Sequence, residues 1–277
     1  MRLRSLLFVP GDRPDRMIKA LASGADALIL DLEDSVAPAR KAEAREAVVD
    51  FLRGERPIPV LVRINPVGGP YANDDLVALR EVRAEGIMLP KAEGAASIHA
   101  LASWTGLPIL PIATETPAAI FVLGSYVDVR DRLLGLTWGA EDLPAAIGAT
   151  AAREADGRYT PPIETVRSLA LFAAHAAGIP AIETVYPNFR DLGGLAAYAA
   201  RGARDGFTGM MAIHPDQVPV INQAFTPSEA EIAVARAIVD AFAANPDAGV
   251  LAVDGKMVDA PHLIQARRVL QRAGEAV

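Results

Sequence analysis

Two carboxylates fall where they could act together. Glu115 ends the apolar run PILPIATE, and Asp142 opens the segment just after another run, LLGLTWG. If those runs are neighbouring parallel strands, both side chains converge at adjacent strand mouths. The chain has no cysteine, and no histidine lies near either carboxylate in sequence. Oxygen donors alone favour a hard cation. Mg²⁺ commonly takes one or two carboxylates, keeps several waters and binds substrate oxygens in the positions left over. The alternative is that each carboxylate caps a helix, Glu115 before Thr116-Pro117 and Asp142 before Leu143-Pro144. Arg63, in LVRINP, is a planar two-pronged donor able to grip a carboxylate or a thioester oxygen. It could equally form a structural ion pair with Glu33 or Asp34. Beside the two carboxylates, it describes a site for a metal-chelated 2-oxo or hydroxy acid, with stabilisation of a developing enolate oxygen. Lys91, ending LPK, could form a Schiff base or pair with Glu93 or Glu115.

Other chemistries lack their residues. Without cysteine there are no disulfides, thiolate metal sites or cysteine nucleophiles. No HxH or HExxH pattern supports zinc, and a serine hydrolase would need a GxSxG elbow that is missing. GxGxxG and GxxxxGK[ST] are absent too, so nucleotide-fold readings have no anchor. His99 and His175 sit in helical patterns, while His214 follows the last apolar run and could lie near the site.

The candidate residues need a frame. Eight short apolar runs cover residues 5–10, 27–33, 59–65, 86–91, 108–115, 133–139, 181–187 and 207–213. Most lack strict apolar–polar alternation, as parallel strands buried on both faces do. Between them lie Ala-rich stretches with helical spacing, such as ARKAEAREAVVDFL and ETVRSLALFAAHAAG. Eight strand-then-helix repeats predict an α/β fold, a (β/α)₈ TIM barrel. Five of the runs end in ionisable groups: Asp31, Glu33 and Asp34; Arg63; Lys91; Glu115; Glu141 and Asp142. In such barrels that rim carries the active site.

Residues 1–225 are read as the barrel domain and 226–277 as a C-terminal helical and hairpin extension. In the extension, Ser228 with Glu231 has capping-box spacing before a helix over 229–244, and VLAVDGKMV predicts a hairpin around Asp254-Gly255 before a last helix.

The length of 277 residues is close to the roughly 250 of one such barrel. With 51% hydrophobic and 22% charged residues a large core is expected and disorder is not. A net charge of −7 argues against non-specific nucleic-acid binding. No apolar stretch approaches the roughly 20 residues that span a bilayer. The run at Ser5–Pro10 is too short for a signal sequence. A cytoplasmic protein with no membrane or nucleic-acid partner is expected.

Taken in order, FVPGDRPDRMIKA, LILDLEDSVAPARKAEAR, VRINP, LPKAE, ETP, WGAEDLPAAIG, AIHPDQV and DGKMVDAPH resemble the citrate lyase β-subunit family of the wider HpcH/HpaI aldolases, with malyl-CoA and citramalyl-CoA lyases as relatives. The resemblance covers nearly the whole chain. It implies a (β/α)₈ barrel with a C-terminal helical extension in a homo-oligomer, a trimer favoured. It implies Mg²⁺ held by Glu115 and Asp142, with Arg63 at the reacting centre. Arg13, Glu33 and Asp34 match rim residues that bind substrate or orient water. Asp259 matches an aspartate delivered into a neighbouring subunit's site to move a proton; it also fits an N-cap for the last helix, since Pro261 follows.

The implied reaction is retro-Claisen cleavage of a citryl-, citramalyl- or malyl-CoA type thioester to an acyl-CoA and a 2-oxo acid. The same scaffold would also suit a β-subunit acting on a carrier-protein thioester, a thioesterase, or an aldolase of free acids. Where many relatives carry Gly-Lys before IHP, this chain reads GMMAIHP, so a lysine for CoA phosphates is missing.

Overall fold

The computed structural model describes residues 2–275. Eight parallel strands form one sheet: β1 (Ser5–Pro10), β2 (Ala27–Asp31), β3 (Val60–Arg63), β4 (Gly86–Leu89), β5 (Ile109–Pro111), β6 (Leu136–Thr137), β7 (Ala181–Glu183) and β8 (Gly209–Ala212). Their order is β5-β4-β3-β2-β1-β8-β7-β6. The parallel bridges Ile109–Leu133 and Ile112–Thr137 join the two ends, so the sheet is a (β/α)₈ barrel. Each of the eight expected runs contains one strand.

Burial explains the absence of alternation. Every residue of β2, β4 and β8 is buried. Leu6, Ile29, Leu61, Met88, Leu110, Ile182 and Met211 belong to one packed cluster. Each aliphatic side chain so buried contributes roughly 1.5–3 kcal/mol. The helix Lys41–Arg53 shows how the outer ring attaches. Its buried residues are Lys41, Ala44, Val48 and Leu52, one stripe at helical spacing. Met210 and Met211 are both buried, and Met211 accepts a hydrogen bond from Thr137 Oγ1 at 3.7 Å. Side chains at these positions belong to the packed interior.

The chain divides into two compact units, one ending at Asn222 and the other beginning at Gln223. The second holds the helix Glu229–Ala244, the hairpin β9 (Val250–Val253) and β10 (Lys256–Asp259), and the helix Ala260–Ala273. The hairpin turns on Asp254 and Gly255, with φ of 49° and 74°. Two left-handed residues give the twist of a type I′ turn, hence Asp-Gly. The capping box is present: Ser228 N donates to Glu231 Oε2 at 2.8 Å and Glu231 N to Ser228 Oγ at 3.3 Å. Ser228→Ala is expected to loosen the first turn of that helix by about 1 kcal/mol. Faster amide exchange confined to residues just after 228 would bear this out; unchanged protection would count against it.

Candidate active site

The mouths of β2 to β6 carry one continuous chain of charged side chains. Asp31 ends β2. Its carboxylate accepts the backbone N–H groups of Glu33 at 2.8 Å and Ser35 at 3.1 Å, which turns the chain sharply out of the strand. The same carboxylate receives the Arg63 fork, Nε on Oδ1 and Nη2 on Oδ2, both at 2.7 Å. Arg63 Nη1 lies 3.1 Å from Glu33 Oε2, and the guanidinium sits over the Phe8 ring at 4.9 Å. Glu33 Oε1 accepts Lys91 Nζ at 2.7 Å. The backbone N–H of Lys91 donates to Glu115 Oε2 at 2.5 Å. Glu115 in turn has the Asp142 carboxyl as a neighbour near enough to help push its own carboxyl up.

The backbone behind these groups is fixed from several sides. Lys41, itself buried, donates to the carbonyls of Leu32 at 2.6 Å and Glu33 at 2.7 Å. Asn65 Nδ2 also donates to Leu32 O, at 3.0 Å, and to Asp75 Oδ2, at 2.7 Å. Thr114 Oγ1 bonds Gly139 across the mouths of β5 and β6, at 3.1 Å. Gly139 must be glycine, since a Cβ there would lie 2.9 Å from Glu115 Cγ. Behind β6 and β7, Glu183 accepts Trp138 Nε1 at 2.6 Å, Tyr198 Oη at 2.9 Å and Arg167 Nε at 2.8 Å. This buried network anchors Trp138, next in sequence to Gly139.

The electrostatics follow from burial and pairing. Burial pushes the Asp31 carboxyl up, but the hydrogen bonds and charge of Arg63 outweigh it and hold it below the usual aspartate range. Burial pushes the Glu33 carboxyl up, and the charges of Arg63 and Lys91 restrain the rise. Burial alone would lower the Lys91 ammonium; Glu33, Glu115 and Asp142 together raise it above the ordinary lysine value. A lysine held charged in this way is not a Schiff-base amine. Glu115 is pushed up to about 8, mainly by burial, with Glu33 and the Asp142 carboxyl adding to it and the Lys91 N–H opposing.

Glu115, Asp142, Arg63 and Glu33 are therefore brought together. The cap alternatives give way to other residues: Thr116 caps the helix after Glu115, accepting Ala119 N at 3.2 Å, and Glu141 holds the N-cap position before Asp142. Arg63 pairs with Asp31 and Glu33, where the sequence suggested Glu33 or Asp34. Lys91 pairs through its side chain with Glu33, not with Glu93 or Glu115. Asp34 is exposed. Arg13 precedes the helix Pro14–Ala20 and lies 3.7 Å from Asp15. His214 stacks on Phe189, with centroids 5.0 Å apart. In the second unit, Asp259 Oδ1 meets His262 Nδ1 at 2.5 Å at the head of the last helix. A cavity of about 290 Å³ adjoins the site, lined by Val67, Leu89, Lys91, Glu93 and Ser97 among others.

The donor set suits a hard divalent cation. Glu115 is buried and Asp142 half-buried; two neighbouring carboxyls repel once both are ionised, and a cation between them removes that repulsion. Among the described residues no group of three or more His, Asp or Glu side chains is arranged to hold a metal. Two protein carboxylates with the remaining positions left to water and substrate is the pattern Mg²⁺ adopts.

Residues 4–215 match the HpcH/HpaI aldolase/citrate lyase family. The chain belongs to that family. It is 42% identical over 271 residues to a citrate lyase subunit beta-like protein of Mycobacterium tuberculosis, covering 98% of this chain and 95% of the relative. It is 34% identical to a (3S)-malyl-CoA thioesterase of Cereibacter sphaeroides, covering 98% and 94%. The crystal structure of CitE from M. tuberculosis in complex with magnesium, acetoacetate and coenzyme A superposes with a TM-score of 0.85 at 38% identity, covering 99% of each chain. These relatives place the chain among the citrate lyase β-subunit-like lyases. Among the described residues no helix is long and apolar enough to cross a membrane.

Proposed function

We propose that this citrate lyase β-like chain is an Mg²⁺-dependent carbon–carbon lyase that cleaves a 3-hydroxyacyl-CoA thioester to an acyl-CoA and a 2-oxo acid. The observation that carries this reading is the Glu115–Asp142 carboxyl pair at adjacent strand mouths, one charged link from Glu33 and Arg63. The magnesium- and CoA-bound CitE relative supports the cofactor and the thioester class.

Glu115 and Asp142 would hold the metal. Bound there, Mg²⁺ supplies Lewis-acid polarisation of the hydroxyl and carboxylate oxygens of the acid half. Arg63, held by Asp31, presents positive charge toward the oxygen that becomes anionic. In the reaction a general base takes the hydroxyl proton, the oxygen's electrons form the carbonyl of the 2-oxo acid as the carbon–carbon bond breaks, and that bond's electron pair passes to the thioester half as an enolate, which then takes up a proton at carbon. Asp259, against His262, is assigned that proton transfer, acting in the site of a neighbouring copy within a homotrimer. Arg13, Glu33 and Asp34 are assigned to substrate and metal-bound water.

The test is an assay of 2-oxo acid and free thiol from malyl-, citramalyl- and citryl-CoA, with Mg²⁺ and with EDTA. A metal-dependent 2-oxo acid without free thiol is expected, and a loss on the order of a hundredfold in Asp142→Ala. Thiol release without a 2-oxo acid would instead make the chain a thioesterase, the activity named for the 34% identical relative. No turnover with Mg²⁺ still bound would favour a carrier-protein thioester as substrate.

A further inference from the structure

Lys91 has φ of 51°, one of two non-glycine residues with positive φ among the described residues. The other, Asp254, sits in the hairpin turn, where the geometry requires it. Lys91 sits in the turn that leaves β4, directly behind Pro90, a place where the left-handed position is one that glycine fills most readily. A left-handed conformation is disfavoured for any residue with a Cβ, and glycine would adopt it freely. The lysine there carries a side chain that glycine would lack, and that side chain is bonded.

It has two arms. The left-handed backbone turns its N–H onto Glu115 Oε2, and the side chain reaches across the mouth to Glu33 Oε1 at 2.7 Å. With Oε2 engaged, Glu115 Oε1 lies on the β6 side, 3.4 Å from where a Cβ on Gly139 would stand. The partners are 24 and 58 residues away in sequence, so this one residue ties the mouths of β2, β4 and β5 together.

We propose that Lys91 is the positioning residue of the metal site: its bond to Glu33 holds its backbone in the disfavoured turn, and that turn aims Glu115 at the cation. The proposal rests on the reading of Glu115 as a metal ligand.

Two substitutions separate the arms. Lys91→Ala removes the anchor and keeps the Cβ that resists the left-handed turn; Lys91→Gly removes the anchor and the resistance together. Mg²⁺ dissociation constants measured by titration calorimetry on the full chain, with Glu115→Gln as control, read the result directly. Lys91→Ala is expected to bind Mg²⁺ about tenfold more weakly than the unsubstituted chain. Lys91→Gly should recover to within about threefold, because the left-handed turn costs glycine little. Thermal unfolding would confirm that both variants are folded. Equal dissociation constants for the alanine and glycine variants would overturn the brace while leaving Glu115 as ligand. Undiminished Mg²⁺ binding in Glu115→Gln would overturn the ligand assignment and the brace with it.

Discussion

Arg63→Met is expected to destabilise the barrel by about 3–5 kcal/mol, because it strands the Asp31 carboxylate inside the mouth and takes one of two charged partners from Glu33. Asp31 is 1% exposed and Glu33 is 3% exposed. Among the described residues the guanidinium is Asp31's one charged partner at bonding distance, through two bonds of 2.7 Å. Glu33 would keep Lys91; Asp31 would keep only backbone N–H groups. The melting temperature should fall by roughly 10 °C for a domain of this size. Arg63→Lys should lose less, retaining the charge without the two-pronged fit. The double substitution Asp31→Leu with Arg63→Met should regain much of the loss, since an apolar pair in place of a buried ion pair is often close to neutral. Without the guanidinium, burial would raise Asp31 against the hydrogen bonds from Glu33 and Ser35 alone. The single variant should then close part of its gap to the unsubstituted chain as pH falls and that carboxyl takes up a proton. A loss below about 1 kcal/mol, or a double variant as unstable as the single, would show that water reaches Asp31 freely.

The barrel could be read from the sequence because its cause is local. Each strand is a short apolar run between helical stretches, and each shows its burial in composition. The strand ends were harder. The second run extends to Glu33 by composition, yet β2 stops at Asp31, because that side chain bonds the N–H groups of Glu33 and Ser35 and turns the chain away. The tail's details were legible for the same local reason: Ser228 reaches Glu231 three residues on, and Asp254-Gly255 turns a hairpin.

The candidate carboxylates could be chosen from strand position alone. What connects them could not. The partner of Arg63 lies 32 residues away and that of Lys91 lies 58 away. A strand pattern says which residues end at a mouth, not which side chains meet across it. Asp31 was visible as a rim residue, and its role as the arginine's anchor depends on the register that sets it beside Arg63. The buried Glu183 and Arg167 gave no signal, since each reads as an ordinary polar residue in an otherwise apolar element.

Mg²⁺ affinity is expected to rise about tenfold per pH unit between pH 6 and the region of pH 8, and to level off above it. The cause is Glu115, pushed up to about 8 mainly by burial, with Glu33 and Asp142 adding to it. Only the carboxylate binds the cation, so below that pH every metal must displace a proton. The metal-free fold should respond in the opposite sense. Its Glu115 carboxyl titrates above the ordinary glutamate value of 4.5. The stability it contributes is therefore complete below that value and lost as pH rises through about 8. Added Mg²⁺ binds the folded chain and restores stability where the proton has left. The melting temperature should thus gain more from a fixed concentration of Mg²⁺ at pH 8 than at pH 6. In Glu115→Gln, which has no proton to exchange and one ligand fewer, both the pH dependence and the gain should largely vanish. An equal gain at pH 6 and pH 8 in the unsubstituted chain would mean that the cation binds elsewhere, or that Glu115 is ionised without it.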